Sequence, residues 1–397
     1  MVRLKILVLL VLASYIPVKA QVDSLAIKKA TELASLTRSK YAPDKRTVVF
    51  NFSYDSVAGF ELETSNEAAA AYFRRQYQMA QINKSLSIRQ LPDTTLADSV
   101  FGLVTVSVGN MRTEPKHAAE MASQALLGWQ VDVLKKTNGY YLIRTADGYI
   151  SWLDAAAVSL KTKAELDDWK KSRKIIVTAD YGHVYSSKDK KSLRVSDLVM
   201  GNILAVEQVF DEFYGIVFPD GRKGYIEKEQ AQDYDEWKRT LSSPSAQAVL
   251  NVAKTMIGVP YLWGGTSVKG VDCSGFTKTA YFMNGFIIPR DASQQVLVGQ
   301  PIEVLSNDTL DRSKALKNLE AGDLLFFAAG KNSDPNARVT HVALYMGDGE
   351  FIHSAGKVRI NSILPTAANY GDFESRTIVA ARRYLGRLGT NGIKKLD

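Results

Sequence analysis

Cys273 is the single cysteine of the chain, and its neighbours Asp272-Cys273-Ser274-Gly275-Phe276 are polar and glycine-flanked where a merely buried cysteine would sit in an apolar run. A free cysteine is most often a small buried hydrophobe, so its company decides how it is read. The stretch from Cys273 to Asn284-Gly285 has helical spacing and a C-terminal cap pair, which puts the thiol at a helix N-terminus. There the helix dipole and unpaired N–H groups favour negative charge, and the expectation is an accessible thiol of lowered pKa. Such a nucleophile needs a base, and the chain has four histidines, His117, His183, His341 and His353. His341 opens the strand-like run Thr340-His341-Val342-Ala343-Leu344-Tyr345-Met346, Gly347-Asp348-Gly349 supplies a hairpin turn, and His353 lies on the return strand. Folding about that turn lets both imidazoles project from one face. His341 is then the candidate base, holding the thiolate as an ion pair, and His353 orients it through the second ring nitrogen. His117 and His183 lack such company and read as ordinary side chains. Two histidines and one cysteine fit no zinc spacing, so neither a metal nor another cofactor is expected.

The elements that must carry these residues occupy the last third of the chain. Of 397 residues, 46% are apolar and 23% charged, which describes a globular chain of two to four domains. Arg3 and Lys5, the apolar run to Ala13 and Val18-Lys19-Ala20 form a signal-peptide pattern over residues 1–20, with cleavage expected after Ala20. Export to the periplasm or the extracellular space follows as an expectation. No later stretch approaches the ~20 apolar residues of a membrane span. Removing Arg3, Lys5 and Lys19 lowers the formal charge from +8 to +5, spread without a block, which speaks for an anionic polymer and against nucleic acid. Residues 21–95 read as an α/β extension of unknown role, with a helix from Ser24 to Arg38, a strand from Arg46 to Tyr54 and a helix from Asn66 to Gln78. Upstream of the cysteine, residues 126–153 align without gaps on 199–226, pairing Gly128 with Gly201, Val133 with Val206, Tyr141 with Tyr214 and Asp147-Gly148 with Asp220-Gly221. Two small β-barrels are expected, at 96–160 and 172–232, followed by a linker from Asp233 to Ser245 and a helix from Ala246 to Met256.

Taken together, Pro260-Tyr261-Leu262-Trp263-Gly264-Gly265, Asp272-Cys273-Ser274-Gly275-Phe276, Gly322-Asp323-Leu324-Leu325-Phe326-Phe327, His341-Val342-Ala343-Leu344-Tyr345-Met346-Gly347 and Ile352-His353-Ser354 resemble the NlpC-type cysteine peptidases, motif by motif and in order. The resemblance covers residues 245–386. It implies an α+β, papain-like domain in which a helix bearing Cys273 packs on an antiparallel sheet bearing both histidines. It makes Cys273 the nucleophile, His341 the base, His353 the third polar residue, and Tyr261 a group that helps polarise the scissile carbonyl or contacts substrate. Asp272 and Ser274, flanking the nucleophile, count as substrate-binding. The repeat resembles bacterial SH3-like domains. With Ile288-Pro289-Arg290-Asp291-Ala292-Ser293-Gln294-Gln295, it narrows the resemblance to the γ-D-glutamyl-L-diamino-acid endopeptidases, or dipeptidyl-peptidase VI. What this implies is a monomer that cuts peptidoglycan stem peptides or muropeptides before the diamino acid, lysine or diaminopimelate. The first barrel closes one end of the cleft, and Asp291, Glu120 and Tyr149 meet the free amine of an N-terminal L-Ala. The alternatives are a broad endopeptidase acting on intact wall and a wall-binding protein.

Overall fold

A computed structural model describes residues 24–241, 244–330, 337–371, 373, 375–390 and 392–396, so the expected signal segment lies outside the described residues. Contacts divide the chain into two compact units, one ending at Ala97 and one beginning at Asp98. In the first, a helix over 24–41 is followed by the antiparallel pair Phe50–Asp55 and Gly59–Thr64, the helix Glu67–Met79, and Leu86–Gln90 parallel to the second strand. Asn66 caps the second helix by accepting from Ala69 N–H. The expected strand from Arg46 begins later, at Phe50, because Arg46 turns back to donate to Asp44. Phe60, Leu62, Phe73 and Tyr77 form the core.

The second unit begins with two seven-stranded sheets. Counting strands in chain order within each, both run seventh, first, fourth, fifth, sixth, second, third, so the repeat read from spacing is also a repeat of topology. The register slips at equivalent places, between Val133 and Lys135 in one and between Val206 and Gln208 in the other. The third and seventh strands of each remain edges, so neither SH3-like sheet closes into a barrel. They pack on each other through Trp129 Nε1, which donates to Gly201 O at 3.0 Å, and through Ile203 N, which donates to Leu127 O at 2.9 Å. Gly128, at φ 77°, is required here, since a Cβ would lie 2.0 Å from Ile203 O.

The stretch expected to be a linker holds a helix, Tyr234–Thr240, whose Tyr234 and Trp237 are buried in the main core. Its aromatic residues outweigh the Ser-Pro punctuation that follows. Helix Ala246–Thr255 then leads to the helix Cys273–Phe282, which packs on an antiparallel six-stranded sheet. In spatial order the strands are Gln300–Pro301, Arg376–Arg383, Leu324–Ala329, Val339–Gly347, Glu350–Ala355 and Lys357–Ser362. Alternation along them gives two cores. Phe326, Val342, Leu344 and Ile352 meet Phe276 and Ala280 of the cysteine helix, while Phe327, Ala343, Tyr345 and Phe351 face the other way. The chain continues past residue 386 as part of this body, since Lys394–Lys395 pairs with Phe286–Ile287. Among the described residues no helix is long and apolar enough to cross a membrane.

Candidate active site

Asp272 sets the start of the cysteine helix. Its Oδ1 accepts from Gly275 N at 2.7 Å, and its Oδ2 accepts from Gly264 N at 3.0 Å. Gly275 permits the first turn to lie against the loop before it, because a Cβ there would stand 1.9 Å from Gly265 O. Arg290 closes the arrangement. Its guanidinium is fully buried and donates to both Asp272 oxygens, at 3.1 and 2.6 Å, to Ser274 Oγ at 3.0 Å and to Ser123 Oγ at 3.0 Å. Burial alone would lower the arginine pKa, but the Asp272 carboxylate outweighs it and raises it. Asp272 and Ser274, expected to bind substrate, have their side chains hydrogen-bonded within this buried network. The polarity around Cys273 thus also serves the helix start.

Cys273 itself is buried, only 7% exposed, which corrects the expectation of an accessible thiol. Burial and then the nearby Asp272 carboxylate push its pKa up to about 12, against the N–H groups of Val342 and Ser274 and the charge of Arg290. The helix N-terminus is present as expected, but it loses to desolvation. The Val342 N–H places the sulfur beside the residue that follows His341.

The histidine hairpin turns at Asp348 and Gly349, with φ 50° and 82°, as an Asp-Gly turn requires. His341 Nε2 and His353 Nδ1 are 2.8 Å apart, with the rings 5.0 Å apart and T-shaped. The chain of bonds continues, since His353 Nε2 lies 3.0 Å from Asn361 Oδ1, and Asn361 Nδ2 donates to Asn369 O at 2.8 Å. A backbone carbonyl only accepts, so Asn369 O fixes the amide with Oδ1 toward His353. With His353 neutral, its Nε2 carries hydrogen toward Asn361, its Nδ1 accepts, and His341 Nε2 donates. The lone pair of His341 is left on Nδ1, the nitrogen turned away from His353. Burial, followed by the positive charge of Arg376 and the proximity of His353 and Arg359, holds the His341 pKa well below 6.5. Both shifts disfavour the charged forms, where the sequence pointed to an ion pair. Tyr261 is half-buried, and burial, then the proximity of Cys273, raises its pKa to about 12, so it stays a hydrogen-bond donor. A cleft of about 490 Å3 opens here, lined among others by Tyr261, His341, Ser354, Gly356, Arg359 and Arg376.

On the other side of the site, the strand Met121–Leu126 of the first SH3-like sheet docks against the catalytic region. Gln124 Oε1 accepts from Thr266 N at 2.8 Å, and Gly264, at φ 78°, lets the backbone approach Met121 O. Glu120, just before this strand, is exposed and not helical. Tyr149 is buried close enough to Arg290 to raise its pKa, although burial and Asp272 act on that group more strongly. Asp291 begins the short helix Ala292–Gln295, its side chain 27% exposed and 3.9 Å from Arg290. Behind the site, Lys278 of the cysteine helix and Asp147 of the first sheet form a buried ion pair at 2.6 Å. Tyr149 and Asp291 thus lie near Arg290, and Glu120 stands three residues before Ser123, which Arg290 bonds. Sequence reasoning missed Asn361, Arg359 and Arg376, which no motif marks, and quoted Arg290 without giving it a role. Among the described residues no group of His, Cys, Asp and Glu is arranged to hold a metal.

Comparison with known proteins bears on this geometry. Residues 258–377 match the NlpC/P60 family, and residues 111–158 match the bacterial dipeptidyl-peptidase Sh3 domain. A γ-D-glutamyl-L-lysine dipeptidyl-peptidase of Bacillus cereus is 32% identical over 281 residues, covering 68% of this chain and 77% of its own. Dipeptidyl-peptidase 6 of Lysinibacillus sphaericus is 27% identical, covering 66% of this chain and 91% of its own. Among solved structures, an NlpC/P60 family protein from Bacillus cereus superposes with a TM-score of 0.58 at 25% identity, over 72% of this chain and 99% of that one.

Proposed function

Because this chain belongs to the NlpC/P60 family of cysteine peptidases, we propose that it hydrolyses the bond between γ-linked D-Glu and the diamino acid in peptidoglycan stem peptides, acting outside the cytoplasm on released fragments with a free N-terminal L-Ala. Cys273 is the nucleophile. As its sulfur attacks the γ-carbonyl, the S–H proton passes to His341 Nδ1, and the imidazolium is held by Nε2–H on His353, itself anchored by Asn361. A concerted transfer suits a neutral pair, since neither a free thiolate nor an imidazolium is stable there beforehand. Tyr261, kept protonated, donates to the developing oxyanion. His341 then returns the proton to the leaving amine, and water resolves the thioester. On the acyl side, Asp291 and Glu120 supply carboxylates for the substrate ammonium, and Tyr149 packs beside them. The observation that carries this reading is the run of hydrogen bonds from Asn369 O through Asn361 and His353 to His341, which leaves a basic nitrogen for the one cysteine.

The test is mass analysis of products from L-Ala-γ-D-Glu-diamino-acid peptides, with wild type beside Cys273→Ala. Release of L-Ala-γ-D-Glu by wild type alone is expected. Activity of Cys273→Ala above a tenth of wild type contradicts the assignment of the nucleophile.

A further inference from the structure

We infer that the cleft beside His341 is a carboxylate subsite for the leaving-group residue, held by Arg359 and Arg376, and that it favours diaminopimelate over lysine. The inference rests on the proposed function and sharpens it. The group that protonates the leaving amine must touch that amine, so the residue following the scissile bond occupies the space His341 lines. That space is the cleft of about 490 Å3, and none of its lining residues comes from the SH3-like sheets.

Sheet register explains why it is basic. His353 pairs directly with Arg359 on the neighbouring strand, so the two share a face. On the opposite flank, Phe327 pairs with both His341 and Ile378, and Arg376 lies two residues before Ile378 on that strand. One guanidinium thus stands on each side of the histidine pair, and both line the cleft. No acidic residue is among the described residues lining it. A guanidinium offers five N–H donors and keeps existing partners while turning two toward a carboxylate. The lysine side chain presents only an ammonium to two cations, whereas the diaminopimelate side chain adds a carboxylate. A carboxylate seated there would also offset the part that Arg376 and Arg359 play, after burial, in holding down the His341 pKa.

Two carboxylates meet this description, the one on the diaminopimelate side chain and the α-carboxylate when the diamino acid ends the peptide. The experiment measures kcat/KM on L-Ala-γ-D-Glu-diaminopimelate and L-Ala-γ-D-Glu-lysine, each with a free and an amidated C-terminus, and on the diaminopimelate peptide amidated at its side chain. Expected is at least a tenfold preference for diaminopimelate, lost on side-chain amidation and falling toward one in Arg359→Gln/Arg376→Gln. Loss on C-terminal amidation instead, for both peptides, would keep the carboxylate subsite and assign it to the α-carboxylate. Equal rates on all five peptides, or a preference that survives in the double variant, overturns the subsite while leaving the peptidase intact. The amidation arms use wild type, so they hold even if the double variant fails to fold. No cleavage of any peptide overturns the proposed function and the subsite with it.

Discussion

Which imidazole nitrogen carries hydrogen decides whether Cys273 can react, and four bonded groups decide that nitrogen. Asn361→Leu removes the acceptor for His353 Nε2–H, and kcat is expected to fall about tenfold or more with KM little changed, because ring orientation rather than binding is lost. Asn361→Asp puts a carboxylate beside the pair, favours imidazolium, and should move the acid limb of kcat/KM to higher pH. An unchanged profile in both variants would mean that Asn361 only packs. In wild type the depressed His341 pKa should leave kcat/KM flat from about pH 6.5 to 8, with the loss below that range. The raised thiol pKa has a consequence for stability. Unfolded, Cys273 releases its proton near its ordinary value of 9.0, but folded it holds it to about 12, so the native state binds more protons across that interval and stability falls as pH rises through it. Wild type should therefore lose more Tm than Cys273→Ala between pH 8 and 10.5. Equal losses would show the thiol to be solvated. At this scale the cysteine and both histidines were legible from residue type and an Asp-Gly turn. The sign of the thiol shift was not, because a polar sequence looked exposed when Arg290 had buried it.

The element that positions the proposed nucleophile depends on one buried pair. Asp272 caps the cysteine helix, ties down the loop at Gly264 and neutralises Arg290, whose side chain has no exposure. Asp272→Ala leaves that guanidinium buried without its carboxylate and is expected to cost about 3–5 kcal/mol. Adding Arg290→Met should recover part of the loss, since removing both charges is cheaper than stranding one. Chemical denaturation of the full chain measures it, and a cost for Asp272→Ala below about 1 kcal/mol would mean that the network is solvated. Helix, hairpin and repeat were readable because 3.6- and 2-residue periods and turn residues are local signals. The helix Tyr234–Thr240 was not, because its burial of Trp237 depends on the distant Phe282 that it meets. The pairing of Arg290 with Ser123 spans 167 residues and leaves no local trace.

At the scale of the whole second unit, the first SH3-like sheet shares the catalytic core rather than hanging from it. Ser123, Gln124 and Asp147 each bond into the region around Cys273, which supports the proposal that this sheet closes the acyl side of the cleft. On that proposal the cleft admits the end of a peptide chain and excludes a continuing one. If Asp291 and Glu120 receive the substrate ammonium, acetylation removes that charge and leaves carboxylates unpaired, at a cost of several kcal/mol. The account is tested most directly by a one-pot competition between L-Ala-γ-D-Glu-diaminopimelate and its N-acetyl form, followed by mass spectrometry. The expected result is release of L-Ala-γ-D-Glu from the free peptide with kcat/KM at least a hundredfold higher, a gap of about 2.7 kcal/mol. Equal consumption of both peptides, or a cut at any other bond, would contradict it.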